Sequence, residues 1–424
     1  MRYPFLLAVL SGCLSAAPVT LTLKQALDLA AKQNPQLISV RLDEQKAALE
    51  IRALSEPLLP RVYAGSGLGY NNGFPLSIEG AAPSVIQAKA MRSIFNRPQS
   101  YQVLQAREAA RAATQATAAT REEVALRTAL AFLDVERMGH GIEVARRQVE
   151  NLERVAEVVR LRAQEGREPD IEVKRAALAV ARAKQRVLQI ANARSSAAAT
   201  LAQALGLGPD EEVRPAGEER GELELPPEPD APAEALTRSP EIKRLEASLL
   251  AKGLESKSAL ANRLPRIDFV AEYALFARFN NYEDWFRTFQ RHNGLVGVSI
   301  QIPIFTGSTH DARASQADLE ALKIRTQIQS TRQRISAETR AAWDRVHEAD
   351  SARDVARLDL DVARQAVNDL LAQTEEGRAS LRQLEEARYL ENEKWLGFYD
   401  ARYAAERARL ELLKATTSLL ASLH

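Results

Sequence analysis

Thr374-Glu375-Glu376-Gly377-Arg378 interrupts a stretch, Gly307 to His424, that contains no proline. Upstream, Gln164-Glu165-Gly166-Arg167 closes a second proline-free stretch that starts at Gln99. Proline lacks a backbone donor and clashes inside a helix, so its absence over such lengths marks helix. The glycine in each motif marks a reversal, because it tolerates the positive φ that a tight helix turn often needs. A helix from about residue 98 to about 163 would be roughly 100 Å long. A globular core has no use for such a rod; it spans a distance.

Working outward from the two reversals, the chain repeats itself. Glu165-Gly166-Arg167 and Glu376-Gly377-Arg378 are 211 residues apart, and at that offset Thr128 falls on Thr339, Phe132 on Trp343 and Ala176 on Ala387. Nearer the start of each half, Asn34-Pro35-Gln36-Leu37 matches Ser239-Pro240-Glu241-Ile242, and Leu59-Pro60-Arg61 matches Leu264-Pro265-Arg266. Pro35 and Pro60 are 25 residues apart, as are Pro240 and Pro265. The expectation is a tandem duplication, residues 18–206 and 233–424, each half reading helix, two strands, helix, turn, helix. Residues 207–232, with prolines at 209, 215, 226, 227, 229 and 232 and many acids, are expected to be a linker unable to form a core.

The strands are clearest in the second half. Ile267, Phe269, Ala271, Tyr273 and Leu275 alternate with Asp268, Val270, Glu272 and Ala274, while Val296, Val298, Ile300, Ile302 and Ile304 alternate with Gly297, Ser299, Gln301 and Pro303. Period two predicts strands near 266–279 and 294–305, each about long enough to cross a bilayer when tilted. The connecting loop carries Tyr282, Trp285, Phe286 and Phe289, ring types that sit at a membrane interface. In the first half strands are expected near 61–73 and, with poor alternation, 84–95; helical hairpins are expected over 98–206 and 307–424. A soluble hairpin packed on one face is the competing reading of the strands.

Charge and composition exclude other classes. Lys plus Arg number 57 against 56 Asp plus Glu, which argues against nucleic acid as a partner. The five histidines are scattered without metal-ligand spacing, and no nucleophile motif or phosphate loop occurs, so neither catalytic residues, metal nor cofactor is expected. Residues 1–17 read as an export signal: Arg2, an apolar run Phe5 to Leu10, then small residues to Ala17. Leu10-Ser11-Gly12-Cys13 resembles a lipobox, in which Cys13 is lipidated; the other reading leaves Cys13 unmodified in a discarded leader.

Taken together, the duplicated motifs resemble the TolC-type outer-membrane factors, the outer membrane efflux proteins. Leu21-Thr22-Leu23-Lys24-Gln25-Ala26-Leu27 with Asn34-Pro35, Leu59-Pro60-Arg61, Leu295 to Phe305 with Thr306-Gly307, and Gly377-Arg378-Ala379-Ser380-Leu381 carry the resemblance. It implies a mainly α fold with a small β part: a homotrimer whose α-helical periplasmic tube continues into a shared 12-stranded β-barrel. Four strands in one chain cannot close a barrel without open edges, so three copies fit independently. The implied role is the passive exit duct of a tripartite efflux or secretion system in the outer membrane of a Gram-negative-type bacterium. Its implied partners are a periplasmic adaptor protein, an inner-membrane pump of the RND or ABC type, and outer-membrane lipid. The alternatives are an exported coiled-coil scaffold, or the same duct serving type I protein secretion.

The resemblance also implies site residues. The adaptor-contact tips are Gly166, Arg167, Gly377, Arg378, Ser380 and Leu381. The periplasmic entrance is lined at six and nine residues beyond Gly377 by Gln383 and Glu386, and six beyond Gly166 by Glu172. Family members carry an acid at both of the first two places, and Gln383 departs from that pattern. A ring of Glu386 copies would favour cations.

Overall fold

The computed structural model describes residues 19–67, 84–208, 211, 213–217, 221, 223–276, 290–305, 307–376 and 378–423. The leader with Cys13, the loop aromatics Tyr282, Trp285, Phe286 and Phe289, and Gly377 lie outside the described residues. In order, the elements are β1 (Val19–Leu21), α1 (Leu23–Gln33), α2 (Pro35–Ser55), β2 (Arg61–Gly67), β3 (Ser84–Phe95), α3 (Arg97–Gln164) and α4 (Asp170–Leu205). The second half follows with β4 (Val213–Pro215), α5 (Ala231–Arg238), α6 (Pro240–Ala261), β5 (Arg266–Phe276), β6 (His292–Gln301), α7 (Thr309–Glu375), α8 (Leu381–Ala415) and α9 (Leu419–Leu423). The chain forms two compact units.

One unit comprises the chain up to Ser39, Ala118–Ser239 and the chain from Arg332. Its core joins Leu23, Ala26, Leu27 and Ala30 of α1 to Val124, Ala129, Phe132 and Val135 of α3, Leu201 and Leu205 of α4, and Leu410 and Leu413 of α8. Thr22 caps α1 in a reciprocal box with Gln25, placing the apolar face Leu23-Ala26-Leu27-Ala30 inward. Asn34 opens α2: its Oδ1 accepts from the Gln36 and Leu37 amides at 3.0 and 3.2 Å, and its Nδ2 donates to the Ala204 carbonyl at 2.7 Å. That residue is buried, and all its polar atoms are used.

Two expectations are corrected here. The 207–232 stretch does contribute to the core: Val213 is buried, Leu223 and Leu225 pack against the cluster, and β4 pairs in parallel with β1, Val19 against Val213. Composition missed this because a three-residue strand needs only one apolar anchor when a partner strand supplies the hydrogen bonds. The second hairpin also stops short of 424. Helix α8 ends at Ala415, Thr416 bonds its hydroxyl to the Leu412 and Leu413 carbonyls, and Thr417 takes φ 55° before α9 begins.

The second unit comprises Val40–Thr117 and Pro240–Thr331. It holds a four-stranded antiparallel sheet, order β2-β3-β5-β6, so each half contributes one hairpin and β3 joins β5. The poorly alternating 84–95 stretch is a twelve-residue strand whose register, Ala90 against Ala271 and Lys89 against Glu272, is supplied by β5. Strand β6 begins two residues before the expected 294 and ends at Gln301, not Phe305. Gln301 pairs with Arg266, the first residue of β5, so nothing remains to pair beyond it, and Pro303 brings no donor. Among the described residues no helix is long and apolar enough to cross a membrane.

Candidate functional site: the helix reversals and the sheet faces

Both reversals close with the same hydrogen bonds. In the first, the Glu165 amide donates to Leu161 O at 3.1 Å and the Arg167 amide to Arg162 O at 2.9 Å. In the second, the Glu376 amide donates to Ala372 O at 3.1 Å and the Arg378 amide to Gln373 O at 2.8 Å. Each pair satisfies carbonyls that a helix end leaves without partners. Gly166 sits at φ +73° with open space around a would-be Cβ, so the glycine serves backbone conformation alone. An ion pair recurs as well, Arg167 with Glu165 at 3.2 Å and Arg378 with Glu376. All four side chains are more than half exposed, so these pairs add little stability and leave the tips charged on the surface.

The returning helices start differently. Pro169 precedes α4, with Asp170 and Glu172 in its first turn, where the helix dipole favours acids. Ser380 caps α8 in a full box: its hydroxyl accepts from the Gln383 amide at 3.3 Å, and the Gln383 side chain accepts from the Ser380 amide at 2.9 Å. That bond gives a physical reason for glutamine at position 383. Leu381 opens the helix directly after the cap.

Neither acid proposed for the entrance stands alone. Glu386 accepts from Arg382 Nε at 3.1 Å and Glu172 from Arg175 at 2.6 Å, each along its own helix. Glu386 and Arg382 are both largely exposed. Sequence reasoning passed over Glu385. Its side chain is mostly buried and pairs with Arg388 at 3.1 Å, and it follows the buried Leu384. Burial pushes its carboxyl above the ordinary range, partly opposed by Arg388 and Arg154. The signal available was the helical period, since Glu385 and Arg388 stand three residues apart on one face of α8.

The sheet sorts its residues by register. Residues directly opposite on antiparallel strands share a face. One face carries Val62 and Ala64 of β2, Ala88 and Ala90 of β3, Phe269, Ala271 and Tyr273 of β5, and Val296 and Val298 of β6, with one charge, Arg92, opposite Phe269 toward the end of β3. It is open to its surroundings: Val62 is 73% exposed and Val296 75%. The other face carries Lys89, Gln87, Ser93, Asp268, Glu272, Asn293 and Ser299. Among the described residues, strands β2 and β6 each have one edge without a partner strand.

A family model described as outer membrane efflux protein matches residues 26–207 and 231–422. The chain belongs to the outer membrane efflux protein family. Outer membrane efflux proteins are passive channels, not enzymes, and membership places this one in the outer membrane with a large periplasmic helical part. The gap between the matched segments falls in the proline-rich stretch and leaves one segment for each half.

As an outer membrane efflux protein, the chain shares its fold with solved channels at low identity. The Campylobacter jejuni CmeC outer membrane channel superposes with a TM-score of 0.78 at 14% identity, covering 94% of this chain and 86% of that one. CusC, whose structures concern folding and transmembrane channel formation, gives 0.77 at 15% identity over 94% and 92%. The open state of the Neisseria gonorrhoeae MtrE outer membrane channel gives 0.73 at 18% over 94% and 89%. A comparison of the sequence with curated proteins gives no match.

Proposed function

We propose that three copies of this chain share one twelve-stranded barrel and form the exit duct of a tripartite efflux or secretion system. The observation that carries the reading is the sheet, with an exposed, mainly apolar face and two edges that have no partner strand among the described residues. In hydrocarbon every backbone polar group needs a partner, so such a sheet is viable only when its edges close. Four strands of alternating direction put β6 of one copy antiparallel to β2 of the next, so identical copies close without reversal. The apolar face then meets outer-membrane lipid, with Tyr282, Trp285, Phe286 and Phe289 at the interface.

The charged tips, Gly166, Arg167, Gly377, Arg378, Ser380 and Leu381, dock a periplasmic adaptor in this reading. Glu172, Gln383 and Glu386 line the entrance beside them. Docking opens the entrance, and the inner-membrane pump, of the RND or ABC type, supplies the energy and selects the cargo. The first experiment is the mass of the purified protein in mild detergent together with its single-channel conductance in a planar bilayer. A trimeric mass with stable, cation-selective pores is expected, and Glu386→Gln lowers the selectivity. A monomer that never inserts sinks the duct. Intact mass of the mature chain reads whether Cys13 carries lipid.

A further inference from the structure

The polar face of the sheet carries a charge arrangement that the periplasmic entrance does not explain. Lys89 of β3 stands directly opposite Glu272 of β5. Its Nζ lies 3.9 Å from one Glu272 oxygen, and Gln87 Nε2 donates to the other at 2.9 Å. Nearer the start of β5, Arg266 Nε reaches Asp268 at 2.8 Å. The opposite face at the same height is Ala88, Ala90, Ala271 and Tyr273, with no charge among them. An ion pair held at mid-strand has desolvation to offset, so a lipid-facing position is closed to it; a water-filled lumen is not.

We infer that Lys89 and Glu272 form a lumenal belt of alternating charge that sets the ion preference of the barrel, a second selectivity element separate from the Glu386 ring. The inference rests on the shared barrel proposed above. With three copies, three lysines and three glutamates stand at one level of the lumen and nearly cancel. Lys89 is the more exposed member, at 39% against 21% for Glu272, whose oxygens are engaged by Gln87 and Lys89. Removing one sign uncovers a ring of three like charges in a pore with low-dielectric walls, where field lines are focused on the permeating ion.

The test is the reversal potential of the purified assembly under a potassium chloride gradient in a planar bilayer. Glu272→Gln leaves three lysines and shifts the cation-to-anion permeability ratio toward anions by at least about twofold. Lys89→Gln shifts it toward cations by a similar factor. The exchanged double variant, Lys89→Glu with Glu272→Lys, keeps both the pair and the sum of charge and returns the ratio to that of the unmodified protein. It also controls for folding, because the single variants are compared with a chain altered at both positions. Channels whose ratio is the same in all four proteins overturn the belt and leave the duct intact. A chain that forms no channel at all overturns both.

Discussion

The helical core and the sheet obey opposite rules of burial. In the core, Phe132 and Leu201 are wholly buried. In the sheet, Asp268 is buried while Val296, Val298 and Ile300 are each more than half exposed. Water cannot account for both, because the hydrophobic effect rewards burial in either place. The difference shows that the sheet's apolar face was selected for another solvent or another surface, and family membership names the outer membrane.

The largest test of this contrast is Phe132→Ala, a cavity in the core, which should cost about 3–5 kcal/mol. Thermal unfolding in detergent checks it, and an unchanged transition would remove Phe132 from the core. The matching change in the sheet, Val298→Arg, should cost about 2–4 kcal/mol near the bilayer midplane. It should lower the yield of lipid-inserted protein while the detergent melting temperature stays close to wild type. Equal losses in lipid and detergent would mean that this face packs against protein.

Two glycines sharpen the contrast at intermediate size. Gly206 ends α4 at φ +76°, and a Cβ there would lie 2.4 Å from the Gln33 carbonyl oxygen, a backbone atom that cannot yield cheaply. Gly206→Ala should cost roughly 2–4 kcal/mol. Gly297 in β6 has open space around it, so Gly297→Ala should be near neutral. A reversed ranking in chemical denaturation would contradict the packing of α1 on α4. Ser380→Ala removes the α8 cap and should cost about 1 kcal/mol, read as faster amide exchange confined to the first turn of α8.

The smallest effect concerns protons. Burial raises the Glu385 pKa, so the folded protein holds that proton more tightly than the unfolded chain. The corresponding stability is present at low pH and declines as pH rises from the ordinary carboxylate range through the raised value. Glu385→Gln should flatten that slope in a melting series from pH 4 to 7. A slope unchanged in the variant would assign it to another group, of which Glu122, also raised by burial, is the first to examine.

The long helices and their reversals were legible because each rests on local chemistry. Proline absence, Gly166 and the offset of 211 residues are properties of the chain read end to end. The capping role of Gln383 is local as well, since Ser380 stands three residues before it. Strand β3 was nearly illegible: Gln87, Lys89 and Met91 alternate with Ala88 and Ala90, and alanine gives a weak apolar signal. The partner of Lys89 is therefore set only by β5 beside it. Val213 was illegible for a similar reason, a lone apolar residue among prolines and acids.

The sequence by itself determined the duplication, the rods, the turns that reverse them and the two outward-alternating strands of the second half. These follow from backbone propensity and periodicity, which act over a few residues. Only the tertiary structure decided that β3 joins β5, that Val213 enters the core, and that Lys89 faces Glu272. Those pairings link residues far apart in the chain, and cross-strand register, which no local period encodes, sets which side chains meet.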